Sequence, residues 1–562
     1  MKLRSLFCST LACALALVAS QSQTRSVSAA SAPEIPHLRK QGTATQLIVD
    51  DQPFLALAGE LSNSSATSVE YMNLVWQRLA MQTGLNTVLA GVSWNQIEPQ
   101  EGRFDFSVLD GVIQGARAHN MRLVLLWFGS WKNALSSYAP DWVKRDDRRF
   151  PRIEVQSGKT IELLSTLSDT NRDADARAFA ALMRHVKQVD GREHTVIMIQ
   201  VENEVNATED SRDRSSVANT AFAAPVPKEL MDYLQKHKET LIPELRQLWE
   251  TAGFRTSGAW QEVFGKGVAT DEIFMAWLYA RYIDRVAAAG KAEYPLPMYV
   301  NAALLGFARV GPPERAHGGG PLSELLDVWR AGAPQIDFLS PDIYGNTDFF
   351  VTSAAAYTRS GNPLFVPETR GDMEARLLYA FGRHDAIGIT FMGLERLPAP
   401  ETEMLRGFAA IGQLAPLIGA HQGKGTMSAV LVGPKDPPKK VQLGNYTFEV
   451  SFMTPRGLPG MPDPQPPYSS GVALLINTGP DEFYAAGNSA HVTFAPSTPG
   501  PAHAGLGTVE EGVFANGRWI ASRQLAGDET GQGGSLSLRS SPADRIPDRY
   551  AGIQRFTLYR YR

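Results

Sequence analysis

At 562 residues the chain is too long for one ordinary core, and leaves room for a barrel of about 250 residues or more beside a further domain. A hydrophobic content of 43% with 20% charged residues is that of a folded globular chain, which excludes extensive disorder away from the termini. The net charge of -4, with no patch of interleaved basic and aromatic residues, argues against nucleic acid as a partner.

The chain opens with Lys2 and Arg4, an apolar stretch over 6–19, and then small and polar residues. That stretch is short of the roughly 20 residues that a membrane helix needs, so residues 1–30 are expected to be a secretory signal peptide cleaved between positions 20 and 32. The protein is accordingly expected to be secreted or periplasmic, with no membrane attachment after cleavage. Its loss moves the formal charge to about -7. Cys8 and Cys13 both go with it, so the remaining chain has no disulfide, thiolate nucleophile or cysteine metal ligand.

From position 46 short apolar runs alternate with helix-length amphipathic segments. "LIVDDQPFLALAGE" reads as a hairpin turning at Asp50 and Asp51, whose second run leads into a first strand. Strands are predicted at 54–58, 86–92, 122–128, 195–201, 296–300, 336–340, 363–366 and 387–391, with helical patterns between them, among them 173–189, 271–288 and 372–383. Apolar runs without alternation, separated by helices, imply a parallel sheet covered on its outer face. Eight repeats make an α/β fold, a closed (β/α)8 TIM barrel over 38–420, with long and therefore functional insertions after strands 3 and 4. Helical periodicity then stops. Short β-rich runs such as "YTFEVSF" and "GVALLIN", punctuated by Pro and Gly, predict a smaller, separate antiparallel β domain, sandwich-like, over 427–562.

In such a barrel the residues just past each strand converge on one mouth. They are Glu60 after strand 1, Trp94 and Glu98 after 2, Trp127, Trp131 and Asn133 after 3, Asn203 and Glu204 after 4, Asn301 after 5, Tyr344 after 6 and Glu368 after 7. Carboxylates, carboxamides and aromatics of this kind suit a sugar, with apolar ring faces on aromatics and hydroxyls on polar groups. "MIQVENEVN" is the most telling run, because a buried strand ends in Glu202, Asn203 and Glu204, and unpaired buried charge costs several kcal/mol. Simple alternation puts Glu202 on the side of Glu204, yet a structural role bonding neighbouring strands is the expectation for it. Glutamates after strands 4 and 7 would face each other as glycosidic cleavage requires, one carboxyl to protonate the leaving oxygen and one carboxylate to attack the anomeric carbon. No histidine pair has metal-ligand spacing, so neither a metal nor another cofactor is expected.

With "IQVENE", "VSWNQIEPQEGRFDF" and "APDWV" the chain resembles retaining glycosidases of clan A, and among them the family 35 β-galactosidases, over about 46–417. The resemblance implies Glu204 as the acid/base, Glu368 in "LFVPET" as the nucleophile, Asn203 as the partner of the sugar 2-hydroxyl, and Tyr344 as the tyrosine that hydrogen-bonds the nucleophile. Trp94, Glu98, Trp131 and Asn133 complete the expected substrate-binding set. Strand 1, "LAGELSNSS", and strand 8, "GITFMGLE", depart from the family pattern and place the chain on a divergent bacterial branch. The activity implied is that of an exported exo-acting β-galactosidase on oligosaccharides, with galactosylated xyloglucan fragments as a source. Another clan A β-glycosidase, or a non-catalytic carbohydrate-binding barrel, are the alternatives.

Overall fold

Two consecutive residues with positive φ, Asp50 at 49° and Asp51 at 64°, turn the strand Ala44–Val49 back onto Gln52–Phe54, a turn whose twist matches that of paired strands. In the computed structural model the described residues are 34–79, 84–207, 209–304, 318–370, 373–396, 403–454, 469–515, 517–539 and 552–562. The expected signal peptide lies outside them. No helix among the described residues is long and apolar enough to cross a membrane.

All eight expected barrel strands form: β1 (Ala56–Glu60), β2 (Thr87–Ser93), β3 (Arg122–Lys132), β4 (Val196–Asn203), β5 (Met298–Ala303), β6 (Phe338–Asp342), β7 (Phe365–Val366) and β8 (Gly388–Met392). They are parallel, in the order β6-β5-β4-β3-β2-β1-β8-β7. The seam between β6 and β7 has no ladder within the strands. It is closed just beyond them by a parallel bridge between Ile343 and Thr369, with the Ile343 N–H donating to the Glu368 carbonyl at 2.8 Å. At the other end the Asn362 side chain stands in for a strand, accepting from Leu339 N–H at 3.1 Å and donating to its carbonyl at 2.9 Å.

Alternation along the strands sorts the core into two layers. Ala56, Leu89, Val124, Leu126, Phe338 and Phe365 point inward and meet Leu47 and Val49 of the hairpin, which therefore helps to fill the barrel. Leu57, Val88, Leu125 and Val201 point outward to the helices. This (β/α)8 barrel followed by antiparallel sheets is the fold class expected.

A six-stranded antiparallel sheet, in the order 427–432, 471–477, 482–488, 553–561, 503–515 and 518–524, faces a four-stranded one, in the order 439–443, 446–452, 490–496 and 535–538. Phe448, Val450, Phe483 and Phe556 fill the space between them. The outer face of the larger sheet is buried too. Ala429, Leu431, Leu474 and Ile476 belong to the same continuous apolar cluster as the barrel helices, packed on the helix Met373–His384. The C-terminal β domain thus shares a continuous apolar core with the barrel helices. Gly382 makes the close approach possible, since a Cβ there would lie 2.3 Å from Leu474 Cδ1 and 2.7 Å from Ala429 Cβ.

Two expected outcomes follow from this seat. Leu474→Ala should lower unfolding free energy by about 2–5 kcal/mol, and Gly382→Ala by about 1–3 kcal/mol, in urea titrations. Because the new methyl of Gly382→Ala enters the space that Leu474→Ala empties, the double variant should lose clearly less than the two losses added together.

Candidate active site

Glu202 organises the end of β4. Its side chain leaves the strand outward, against the helix Asp169–Asp190, where Oε1 accepts from Ser130 N–H at 3.2 Å and Oε2 from Trp131 N–H at 2.7 Å. Beside it Asp175 accepts from Trp127 Nε1 at 2.9 Å and from Ser130 Oγ at 2.6 Å. Burial raises the pKa of both carboxyls; Asp175 raises Glu202 further, while the hydrogen bond that joins them lowers Asp175 against its burial. The stability this proton-holding pair contributes is present in acid and is lost as pH rises through the raised folded values. A Cβ at Gly129 would fall 2.6 Å from Glu202 Oε1 and 2.8 Å from Asp175 Oδ1, so glycine is what lets β3 pass this close.

Alternation would send Glu204 outward after Glu202. It does not, because Glu202 has a φ of 61° and Glu204 one of 48°, and these left-handed turns redirect the chain. Each costs roughly 1–2 kcal/mol for a residue with a Cβ, offset by the hydrogen bonds around Glu202. Asn203 is thereby seated on Lys132, whose Nζ donates to its Oδ1 at 2.9 Å. That bond fixes the amide orientation, leaving Nδ2 as a buried donor with no hydrogen-bond partner among the described residues. Glu204 accepts from Asn133 Nδ2, and its backbone N–H donates to Asn301 Oδ1 at 2.9 Å.

Across the mouth stands Glu368. Tyr344 donates its hydroxyl to Glu368 Oε2 at 2.5 Å, and burial together with the Glu368 charge raises the phenol's pKa, which keeps it a donor. Between the two glutamates sits Asp342, at the end of β6, which accepts from Asn301 Nδ2 at 2.7 Å. Glu204, Asp342 and Glu368 each bring a carboxylate oxygen within 4.8 Å of the other two. Full charges that close repel by roughly 3–4 kcal/mol per pair at an effective dielectric of about 20. Protons relieve this: burial first, then Glu368, raises Glu204 to about 7, and Asp342 is pushed well above the carboxylate range by the same causes. Glu60, buried at the end of β1, is likewise raised by burial and by Glu368, while the Lys132 charge opposes the rise. The three carboxylates are spaced closely enough to hold a cation, and the Lys132 charge bears on both Glu204 and Glu60 beside them.

Of the residues expected at the mouth, the structure brings together Asn133, Asn203, Glu204, Asn301, Tyr344, Glu368 and Glu60. The substrate-binding expectation fails for Trp94, Glu98 and Trp131. Trp94 is fully buried and donates Nε1 to Glu98 Oε2 at 2.8 Å, while Glu98 Oε1 accepts from Gly102 N–H at 2.7 Å, so the pair shapes its own loop. Trp131 is buried against Tyr279 and Tyr282 and donates to the Leu164 carbonyl at 3.1 Å. Trp127, bonded to Asp175, lies in the same outward layer. Asp342, Lys132 and Asp175 were missed; only Asp342, two residues before Tyr344 on the same strand face, was open to the alternation rule.

Residues 75–264 match the glycoside hydrolase family 42 model, described as "Beta-galactosidase", and residues 404–537 match a domain of unknown function, DUF5597. The first match takes in β2 to β4 with Glu204 and stops short of Glu368. It points to β-galactosidases, as the sequence motifs do, but through family 42 where the resemblance named family 35. A β-galactosidase of Xanthomonas manihotis is 34% identical over 101 residues, covering 17% of this chain and 16% of that protein. Among solved structures, β-galactosidase from Bacillus circulans sp. alkalophilus has 17% identity and a TM-score of 0.41 over 65% of this chain and 57% of its own. The catalytic domain of β-amylase from Paenibacillus polymyxa has 12% identity and a TM-score of 0.42 over 63% of this chain and 96% of its own.

Gly129→Ala tests the support beneath Glu204. Its methyl must displace the Glu202–Asp175 pair, so urea unfolding should report a loss of about 1–3 kcal/mol. Catalytic rate per folded molecule should fall as well, because Glu204 hangs from the same turn.

Proposed function

We propose that the chain is an exported, exo-acting, retaining β-galactosidase of clan A that removes terminal β-galactosyl residues from oligosaccharides. The observation that carries this reading is the pair Glu204 and Glu368, from the ends of β4 and β7, with carboxylate oxygens within 4.8 Å across the barrel mouth. Retaining enzymes hold their carboxyls about 5–5.5 Å apart, whereas inverting ones need about 6.5–9.5 Å to fit a water. The family 42 segment match and the family 35 motifs both fall within the reading. Export rests on the leader-like residues 1–30, and galactosylated xyloglucan fragments are a source suggested by the motifs alone.

The roles divide by environment. Glu204, held neutral near pH 7 by burial and by its partner, donates its proton to the glycosidic oxygen while ionised Glu368 attacks the anomeric carbon. The aglycone leaves as an alcohol and a galactosyl ester forms on Glu368. Glu204, now a carboxylate, then takes a proton from water as that water attacks the anomeric carbon and frees Glu368. Tyr344 holds the nucleophile's carboxylate in place, and the Asn203 Nδ2 donor is suited to the sugar 2-hydroxyl.

A panel of nitrophenyl glycosides should give β-galactoside far ahead of β-glucoside and β-mannoside; equal rates would sink the assignment. Glu368→Gly should nearly abolish turnover of every substrate. Glu204→Gly should lose about 10²–10⁴-fold on poor leaving groups and far less on a dinitrophenyl galactoside, with azide rescuing turnover as a β-galactosyl azide. An α-azide would reverse the two roles. Since the acid must be protonated, kcat/KM should fall on the alkaline side through about pH 7, the value to which Glu204 is raised.

A further inference from the structure

Asp342 is not needed by the two-carboxylate chemistry, yet it sits inside it. It is buried at the end of β6, Oδ2 accepts from Asn301 Nδ2 at 2.7 Å, and Oδ1, buried too, receives no N–H or hydroxyl donor among the described residues. The oxygen of the same Asn301 amide accepts from the Glu204 N–H at 2.9 Å, so one side chain ties Asp342 to the backbone of the acid. The Asp342 carboxyl is also hydrogen-bonded to that of Glu204, within the triangle of 4.8 Å that Glu368 completes. Other groups facing this triangle are Glu60 from β1, Lys132 from β3, Tyr299 from β5, and Tyr344. Lys132 is the one cation of that set. It is engaged by Asn203, so it does not neutralise Asp342 by contact.

We propose that Asp342 is a positioning residue that stays neutral and donates a hydrogen bond to the Glu204 carboxylate formed when the leaving group departs. A neutral carboxyl has one hydroxyl donor and one acceptor oxygen. Asn301 uses the acceptor, which leaves the hydroxyl for Glu204. The bond favours Glu204 in its charged form, the form needed when it activates water, and it keeps a second negative charge away from Glu368. No proton leaves Asp342 in either step. The inference rests on the glycosidase reading for its kinetic part only.

The test compares Asp342→Asn with Asp342→Ala. An amide copies a neutral carboxyl in shape, donor and acceptor, so D342N should keep the alkaline limb of kcat/KM on nitrophenyl β-galactoside where the unsubstituted protein has it. D342A loses the donor to the Glu204 carboxylate, and its alkaline limb should move up by roughly one pH unit. A downward move in D342N would mean that Asp342 carries charge, and an unmoved limb in D342A would mean that it does not touch the acid; either overturns the proposal. If D342N does not fold, Asn301→Ser cuts the tether and must raise the limb as D342A does, and no rise overturns the proposal. Difference infrared spectra of protein labelled with carboxyl-¹³C aspartate supply a readout without turnover. A protonated-carboxyl band at neutral pH should vanish in D342N, and its absence from the unsubstituted protein overturns the proposal. Failure of every glycoside with that band present would reject the glycosidase reading and leave the protonation of Asp342 established.

Discussion

The mouth of the barrel depends on one tie, the Glu202 carboxyl on the backbone N–H groups of Ser130 and Trp131. Backbone donors at a strand end must be satisfied by something other than the ladder. Here a side chain from the neighbouring strand does it, and the regular register of β3 against β4 breaks between Trp127 and Lys132 as a result. From that break come the turned φ values, the seat of Asn203 on Lys132, and the inward course of Glu204. A buried pair of carboxyls is costly unless every oxygen is engaged, and Trp127, Ser130 and Trp131 together engage them.

A second layer of control is electrostatic. The mouth collects Glu60, Glu204, Asp342 and Glu368 from four strands and opposes them with Lys132. Such a set cannot be fully ionised, so burial and mutual repulsion do what acid–base chemistry requires, separating a carboxyl that keeps its proton from one that can act as a base. Asn301 adds geometry to this by bonding the Glu204 backbone with one end of its amide and Asp342 with the other.

The barrel was readable because each strand is buried on both faces and is therefore an unbroken apolar run, and because helices separate the runs. The meeting of Glu204 and Glu368 at the mouth was readable for a related reason, since charge at the end of such a run is costly without a purpose. The tryptophans were misread because an indole that stacks on a sugar and one that fills the layer under a helix look alike in sequence. Their fate follows from strand parity, which puts Trp127 and Trp131 outside the barrel wall. Lys132 and Asp175 gave no local sign, being drawn to their partners from a strand end and from a helix. The shared core with the β region did leave a trace, because "GVALLIN" is apolar at both parities, with Leu474 facing the barrel helix and Leu475 the opposite sheet.

The seam between β6 and β7 sits beside Glu368 and has little main-chain hydrogen bonding, the Ile343–Thr369 bridge being reinforced by Thr369 Oγ1 on the Ile343 carbonyl at 2.6 Å. Free energy of local opening varies over a fold, and it is lowest where few hydrogen bonds have to break. The amides of Ile343 and Thr369 should therefore exchange with solvent sooner than those of β3 and β4. Each such opening loosens the backbone that carries Glu368. On warming, the mouth should therefore loosen at this seam at a lower temperature than that at which the barrel core melts.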